Sequence, residues 1–355
     1  MSYKLLSIDL QDKALQHRHY CLSFSNAYLK HKDHIIENGI GKNWVEVIQD
    51  GKKLNLDEKD FQKAGRHDLI YSDDIIEDTS YDTEITQDVF LFYDCYGLNY
   101  AHFFFDLFSK ILYYEELLKT NPNLTLGIPE DFYSETGNSV FIKEWLSIYN
   151  KDLNIKVFKK NKRYKIKNLI FPNMHYGFPE PFGDGSILNK IIEITQNIPP
   201  LQKPTPGCYI SRQDTIKRGW YHKRELVNEL ELIQQIKTKL GYDVIELMDL
   251  SMYEKIQIFK SYKNIIQQSS ASAIGIIFSG KENNNIILSH PKMENWFNSK
   301  LQNFSSKSGA PLYTLNGGGE CIGDLDPNLE DKNNLPWELH DIDGIIEVLI
   351  SLESH

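Results

Sequence analysis

The stretch from Gly207 to Phe278 constrains the fold more than any other part of this chain. Its apolar run, Cys208–Ile210, stops at a polar pair, Ser211–Arg212. A polar loop follows, then a helical pattern from Lys223 to Gly241, whose glycine suits a helix C-terminus. Asp243–Leu247 is a short β-type run and Ser251 starts a further helix. Asn264–Gln267 is another β-type run, ending at a loop of small residues, Ser269–Ala273. Strands alternating with helices at this spacing predict a parallel sheet wound with helices on both faces. Ligands of such sheets bind at the carboxyl ends of the strands. Ser211–Arg212 and the Ser269 loop both fall at such ends.

A second α/β pattern lies upstream. Val89–Tyr93 reads as a strand, broken by Gly97 and Asn99. Tyr100–Lys119 places Phe104, Leu107, Phe108, Ile111, Leu112 and Leu117 at helical spacing. Leu124–Ile128, Ile155–Phe158 and Leu169–Phe171 read as strands, and Phe141–Tyr149 as a helix. Between the two patterns, Asn197–Gly207 carries four prolines and reads as a linker. The expected organisation is an N-terminal α/β domain over 1–198, whose first 87 residues form a loop-rich β layer. A linker over 199–207 follows, then a C-terminal Rossmann-like domain over 208–340 and a closing helix over 341–355.

The 355 residues suit two domains. A net charge of −10, from 39 basic and 49 acidic residues, argues against a nucleic-acid binder, whose affinity rests on neutralising phosphates. Four cysteines (Cys21, Cys95, Cys208, Cys321) show neither CxxC nor Cys/His spacing. A disulfide framework and a structural zinc site are therefore unsupported, and a reducing compartment is expected. The first residues lack a signal-peptide apolar region, and no run approaches the ~20 apolar residues of a membrane helix. A cytoplasmic location is expected, at most peripheral on the inner membrane face.

Five stretches carry chemistry. His102 and Asp106, four apart on a helix that Asn99 can cap, share one face. A carboxylate beside an imidazole suits a general base, or the pair simply packs at a helix start. Ser211–Arg212, followed by Lys217, Arg218, His222, Lys223 and Arg224, offers a hydroxyl and a planar cation to a phosphate, or forms a basic surface loop. The loop Ser269, Ser270, Ala271, Ser272 allows close approach to backbone amides that favour anions, or is a packed strand-to-helix turn. Asp324 and Asp326 stand two apart, a spacing that can hold Mg²⁺ or Mn²⁺, though a solvated turn is the simpler reading. Lys156–Lys167 holds seven bases and no acid, either a surface for anionic lipid or a solvated hairpin.

Taken in order, these residues resemble glycosyltransferase family 61. The resemblance rests on Asn99, Tyr100, Ala101 and His102 with Asp106, then Tyr209–Arg212, then Arg224 with Asn228 and Glu229, then Leu250–Ser251 with Glu254 and Ile256. It spans Asp88 to Phe278. It implies a GT-B architecture, two Rossmann-like domains facing across a cleft. It implies an inverting transferase that needs no metal and no cofactor. Such an enzyme uses a nucleotide-sugar co-substrate, a UDP-sugar being favoured, to build a bacterial capsular or lipopolysaccharide-type glycan. His102 or Asp106 would be the base, with Asn99 and Tyr100 on the acceptor side. Ser211, Arg212, Arg224, Asn228, Glu229 and the Ser269–Ser272 loop would hold the donor. The expected partners are that donor and a glycan or lipid-linked glycan acceptor.

The chain departs from the family at one place. Ser269–Ser270–Ala271 stands where a His-Gly-Ala stretch is usual, and Gly275 where an Asn is expected. Two alternatives stay open: a metal-dependent transferase using Asp324 and Asp326, and a non-catalytic glycan-binding or scaffold subunit.

Overall fold

A computed structural model describes residues 80–94, 97–136, 139–172, 186–202, 205–217, 225–291, 296–316, 319–321 and 336–353, with shorter strand segments before residue 80. The chain divides into two compact units, Met1–Ile187 and Leu188–His355.

The first unit contains β1 (Tyr3–Ser7), β2 (Tyr20–His31), β3 (Ile35–Glu37), β4 (Ile40–Lys42), β5 (Val45–Gln49), β6 (Lys52–Leu54), β7 (Tyr71–Ile75), β8 (Thr83–Leu91), β9 (Thr125–Pro129), β10 (Ile155–Phe158) and β11 (Arg163–Pro172). Its nine-stranded sheet has the order β10-β9-β8-β11-β2-β5-β6-β7, with β1 added on β2. The first four strands run parallel, and β2, β5, β6 and β7 extend them antiparallel. Parallel strands covered on both faces read as continuous apolar runs. β9 is buried along its whole length, as are Val89, Phe90 and Leu91 at the end of β8.

The basic run from Lys156 to Lys167 is not a hairpin. β10 and β11 are separated in the sheet by β9 and β8. Four of its charges meet acids from distant positions: Lys159 pairs with Glu130 at 2.7 Å, Lys160 with Asp131 at 2.7 Å, Lys162 with Asp82 at 3.2 Å and Lys165 with Glu84 at 3.0 Å. Local spacing could not show these partners.

The second unit contains β12 (Gly207–Ser211), β13 (Asp243–Glu246), β14 (Asn264–Gln268), β15 (Asn284–Leu288) and β16 (Leu312–Leu315). A small antiparallel pair, β17 (Glu320–Cys321) and β18 (Trp337–Glu338), lies outside that sheet. The five main strands are all parallel, in the order β13-β12-β14-β15-β16. This is a doubly wound sheet whose order reverses between β12 and β14, the place where such sheets bind ligands. Tyr209, Ile266, Ile286 and Leu288 form one core with Leu232 and Ile236, Trp337, and Ile342, Ile345, Ile346 and Leu349 of the C-terminal helix Ile342–Glu353. Burying each such aliphatic side chain contributes ~1.5–3 kcal/mol.

Helix ends follow the sequence closely. Gly241 takes φ +66°, a left-handed stop after Glu229–Gln235 and the π turn Ile236–Leu240. The helix starts at Glu229 rather than near Lys223: Leu226 forms a bridge with Trp337 and Val227–Asn228 make a turn, while residues 218–224 lie outside the described part. The helix Met252–Ser261 opens with a reciprocal capping box between Ser251 and Glu254. After β14 the chain turns into a 3-10 segment, Ala271–Phe278. Among the described residues, no helix is long and apolar enough to cross a membrane.

Candidate functional site

In the first unit the site builds up from the end of β8. A Cβ at Gly97 would lie 2.7 Å from the Phe132 ring and 2.8 Å from Leu107, so only glycine lets the chain pass there. Asn99 then caps the next helix, its side-chain oxygen accepting from the backbone N–H groups of Ala101 (3.0 Å) and His102 (3.3 Å). The helical run over 100–118 changes pitch three times. It starts as α (Tyr100–His102), widens to π (Phe103–Leu107), tightens to 3-10 (Phe108–Lys110) and ends as α (Ile111–Leu118). π segments are rare and concentrate at functional sites. This one carries Asp106.

His102 Nδ1 lies 2.6 Å from Asp106 Oδ2, with the imidazole side chain 19% exposed and the carboxylate 4%. A carboxylate at Nδ1 keeps the proton there and leaves the lone pair on Nε2, the arrangement of a proton acceptor. Tyr100 packs edge-on against Phe104 (5.4 Å between centroids) and Phe141 (5.2 Å), and desolvation pushes its phenol well above the usual range. One turn beyond Asp106, buried Lys110 donates to Tyr93 O (2.6 Å) and Asp94 Oδ2 (3.0 Å), tying the helix to the chain that leaves β8. No sequence signal pointed to this pair, because its members stand 16 residues apart.

In the second unit the cluster gathers around Glu229, 1% exposed. Its carboxylate accepts from the Tyr209 hydroxyl (3.0 Å), the Ser211 hydroxyl (3.2 Å), the Arg212 backbone N–H (3.0 Å) and the Gln213 amide (2.7 Å). It thereby fixes the end of β12. Burial pushes the Arg212 guanidinium down from its ordinary value, opposed first by the charge of Glu229. Its planar cation remains charged at any working pH. Asn228 is committed elsewhere: its amide donates to Leu339 O (2.7 Å) and accepts from Leu339 N (3.1 Å).

β14 ends beside β12, with Ile210 opposite Gln267. Ser211–Arg212 and Gln268–Ser272 therefore leave adjacent strands at the same end of the sheet, at its reversal point. Ser269 N–H donates to Leu288 O (2.9 Å), and the Ser270 and Ser272 hydroxyls lie 2.7 Å apart. Ser270 is extended, and the 3-10 turn begins immediately after it. Two hydroxyls and the first amides of a helical turn suit an anionic group, and Arg212 follows the neighbouring strand at the same end of the sheet. Arg224, Asp324 and Asp326 lie outside the described residues. Among the described residues, no group of three or more His, Cys, Asp or Glu is placed to hold a metal ion.

Residues 100–287 match the family described as Glycosyltransferase 61, more than half of the chain. The chain belongs to that family. No curated protein matches it. As a family 61 member it is a glycosyltransferase, an enzyme with a sugar donor and an acceptor glycan. The matched span contains both clusters, from His102 in the first unit to Ser272 in the second. Sequence reasoning named Glu229 only through the family resemblance. It missed Tyr209, Gln213 and Gln268 as members of the network. The one available hint was a pair of glutamines ending the buried strand Asn264–Gln268.

Proposed function

We propose that this family 61 chain is an inverting, metal-independent transferase of the GT-B class. It moves a sugar from a nucleotide sugar, a UDP-sugar first among them, to a growing bacterial capsular or lipopolysaccharide-type glycan, working in the cytoplasm. The observation that carries this reading is that Arg212, after β12, and the serine-rich turn, after β14, leave adjacent parallel strands at the reversal point of a doubly wound sheet. In the reaction, His102 Nε2 takes the proton of the acceptor hydroxyl, and Asp106 steadies the imidazolium. The acceptor oxygen forms a bond to the anomeric carbon from the face opposite the leaving group. The carbon–oxygen bond to the diphosphate breaks, and its electron pair stays on the phosphate oxygen. Arg212, the Ser270 and Ser272 hydroxyls and the amides of the turn stabilise that charge where a metal ion otherwise would.

The test is a panel of nucleotide sugars with polysaccharide and lipid-linked acceptors, read by nucleotide release and by NMR of the product anomer. Inverted product at a rate unchanged by EDTA is expected. Retention of configuration, or no release from any donor, would contradict the reading. Loss of activity in EDTA would return the chemistry to Asp324 and Asp326.

A further inference from the structure

The carboxyl end of β14 holds buried polar atoms that no partner among the described residues satisfies. Both amide atoms of Gln267, Oε1 of Gln268 and Oγ of Ser269 lack a hydrogen-bond partner, in residues 0%, 2% and 2% exposed. Leaving such a group unpaired costs ~1–3 kcal/mol. Side chains alternate along a strand, so Gln268 faces one side of the sheet with Tyr209, and Gln267 and Ser269 face the other.

The orientation of the Gln268 amide follows from its neighbours. Glu229 gathers four donors and acts purely as an acceptor. The single Tyr209 proton is spent on Glu229 Oε1, so the Tyr209 oxygen accepts from Gln268 Nε2 at 2.9 Å. The remaining pole of the amide, Oε1, is therefore an acceptor without a donor. The same carboxylate holds the Arg212 backbone at 3.0 Å, so one network sets both residues.

We propose that Gln268 Oε1 accepts a hydrogen bond from a neutral O–H or N–H group of the bound nucleotide sugar, which rests on the donor-binding reading above. An ionised diphosphate presents only acceptors, so it goes to Arg212 and the serine turn and cannot satisfy Gln268. The complementary donor is a hydroxyl or N–H of the nucleoside, or a hydroxyl of the transferred sugar. Tyr209 and Glu229 are positioning residues for this contact, since they fix which end of the amide faces the ligand.

The experiment is calorimetric titration of the full chain with UDP, UDP-glucose, GDP, GDP-mannose, CMP and inorganic diphosphate. It compares wild type with Gln268→Met, which keeps the side-chain length but removes the acceptor, and with Tyr209→Phe. Binding about tenfold weaker is expected for Gln268→Met, equivalent to ~1.4 kcal/mol. An equal loss for a nucleotide and its sugar conjugate places the contact on the nucleoside, and a loss for the conjugate alone places it on the sugar. Inorganic diphosphate should bind both proteins within about twofold, which a general loosening of the site would not allow. Tyr209→Phe should weaken the same ligand about threefold or more, by releasing the amide. Unchanged nucleotide and conjugate affinity in Gln268→Met, or in Tyr209→Phe should Gln268→Met fail to fold, overturns the proposal. Wild type that binds no nucleotide overturns the donor-binding reading itself and this contact with it.

Discussion

At the residue scale, His102 and Asp106 are in contact, and if they serve as the proposed base and its partner, their separate removal should show it. His102→Ala is expected to lower kcat by about 10²–10⁴-fold, the usual worth of a general base. Asp106→Asn should cost less, because the imidazole survives but loses the partner at Nδ1. Steady-state kinetics with the preferred donor check both, with circular dichroism to confirm folding. Lys110 makes a contrasting case. Lys110→Met would leave Asp94, 3% exposed, as a buried charge without its cation, and should cost about 3–5 kcal/mol in urea denaturation. Asp94→Leu added to Lys110→Met should recover part of that loss. The first pair was legible in the sequence because its members sit one helical turn apart. The second was not, because tertiary folding alone brings Asp94 to Lys110, and periodicity carries no record of such contacts.

At the scale of elements, packing accounts for Gly275, where the family resemblance led one to expect an Asn. A Cβ at Gly275 would lie 2.0 to 2.5 Å from ring atoms of Phe259 on the helix Met252–Ser261. An Asn at this position has no room while Phe259 is present, so the glycine answers to packing on the neighbouring helix. Gly275→Ala is expected to destabilise by about 1–3 kcal/mol, and Phe259→Leu in the same chain to relieve part of the strain, both read by denaturant midpoint. The helix that carries Phe259 also carries a pH-sensitive start. Glu254 accepts from the Ser251 N–H and hydroxyl, each at 2.8 Å, and the backbone bond above all holds its carboxyl below the usual value of 4.5. A depressed carboxylate stabilises the fold fully above its unfolded value and loses that contribution as pH falls through the lower folded one. Glu254→Gln should therefore lower the urea midpoint at pH 7 and leave a smaller difference from wild type at pH 3. The strands from Val89 to Gln268 and the helices beginning near Tyr100, Phe141 and Ser251 were readable from apolar spacing, whereas the helices Ser186–Thr195 and Trp296–Ser308 were not anticipated. The π turn over Phe103–Leu107 was not, because its residues carry the same apolar pattern as an ordinary helix.

At the scale of the whole molecule, two α/β units of different build lie in one chain. The second has a five-stranded parallel sheet, as the alternation of strand and helix patterns predicted, but that alternation did not give the strand order or the reversal point. The first is a mixed sheet in which β2 and β5–β7 extend a parallel half. Its early strands were legible only as a β layer, because mixed, acidic, turn-rich segments give no clear period. What unites the polar end of the second unit is Glu229, whose contacts reach residues 16 to 20 positions away and so escape any local reading. Arg212, at that end, is proposed to bind the phosphates of a nucleotide sugar. The decisive experiment is calorimetric titration of wild type and Arg212→Ala with UDP, GDP and CMP. The expected result is that wild type binds one of the three and Arg212→Ala binds it about 10–100-fold more weakly, the worth of a charged hydrogen bond. Equal affinity in the two proteins would contradict it.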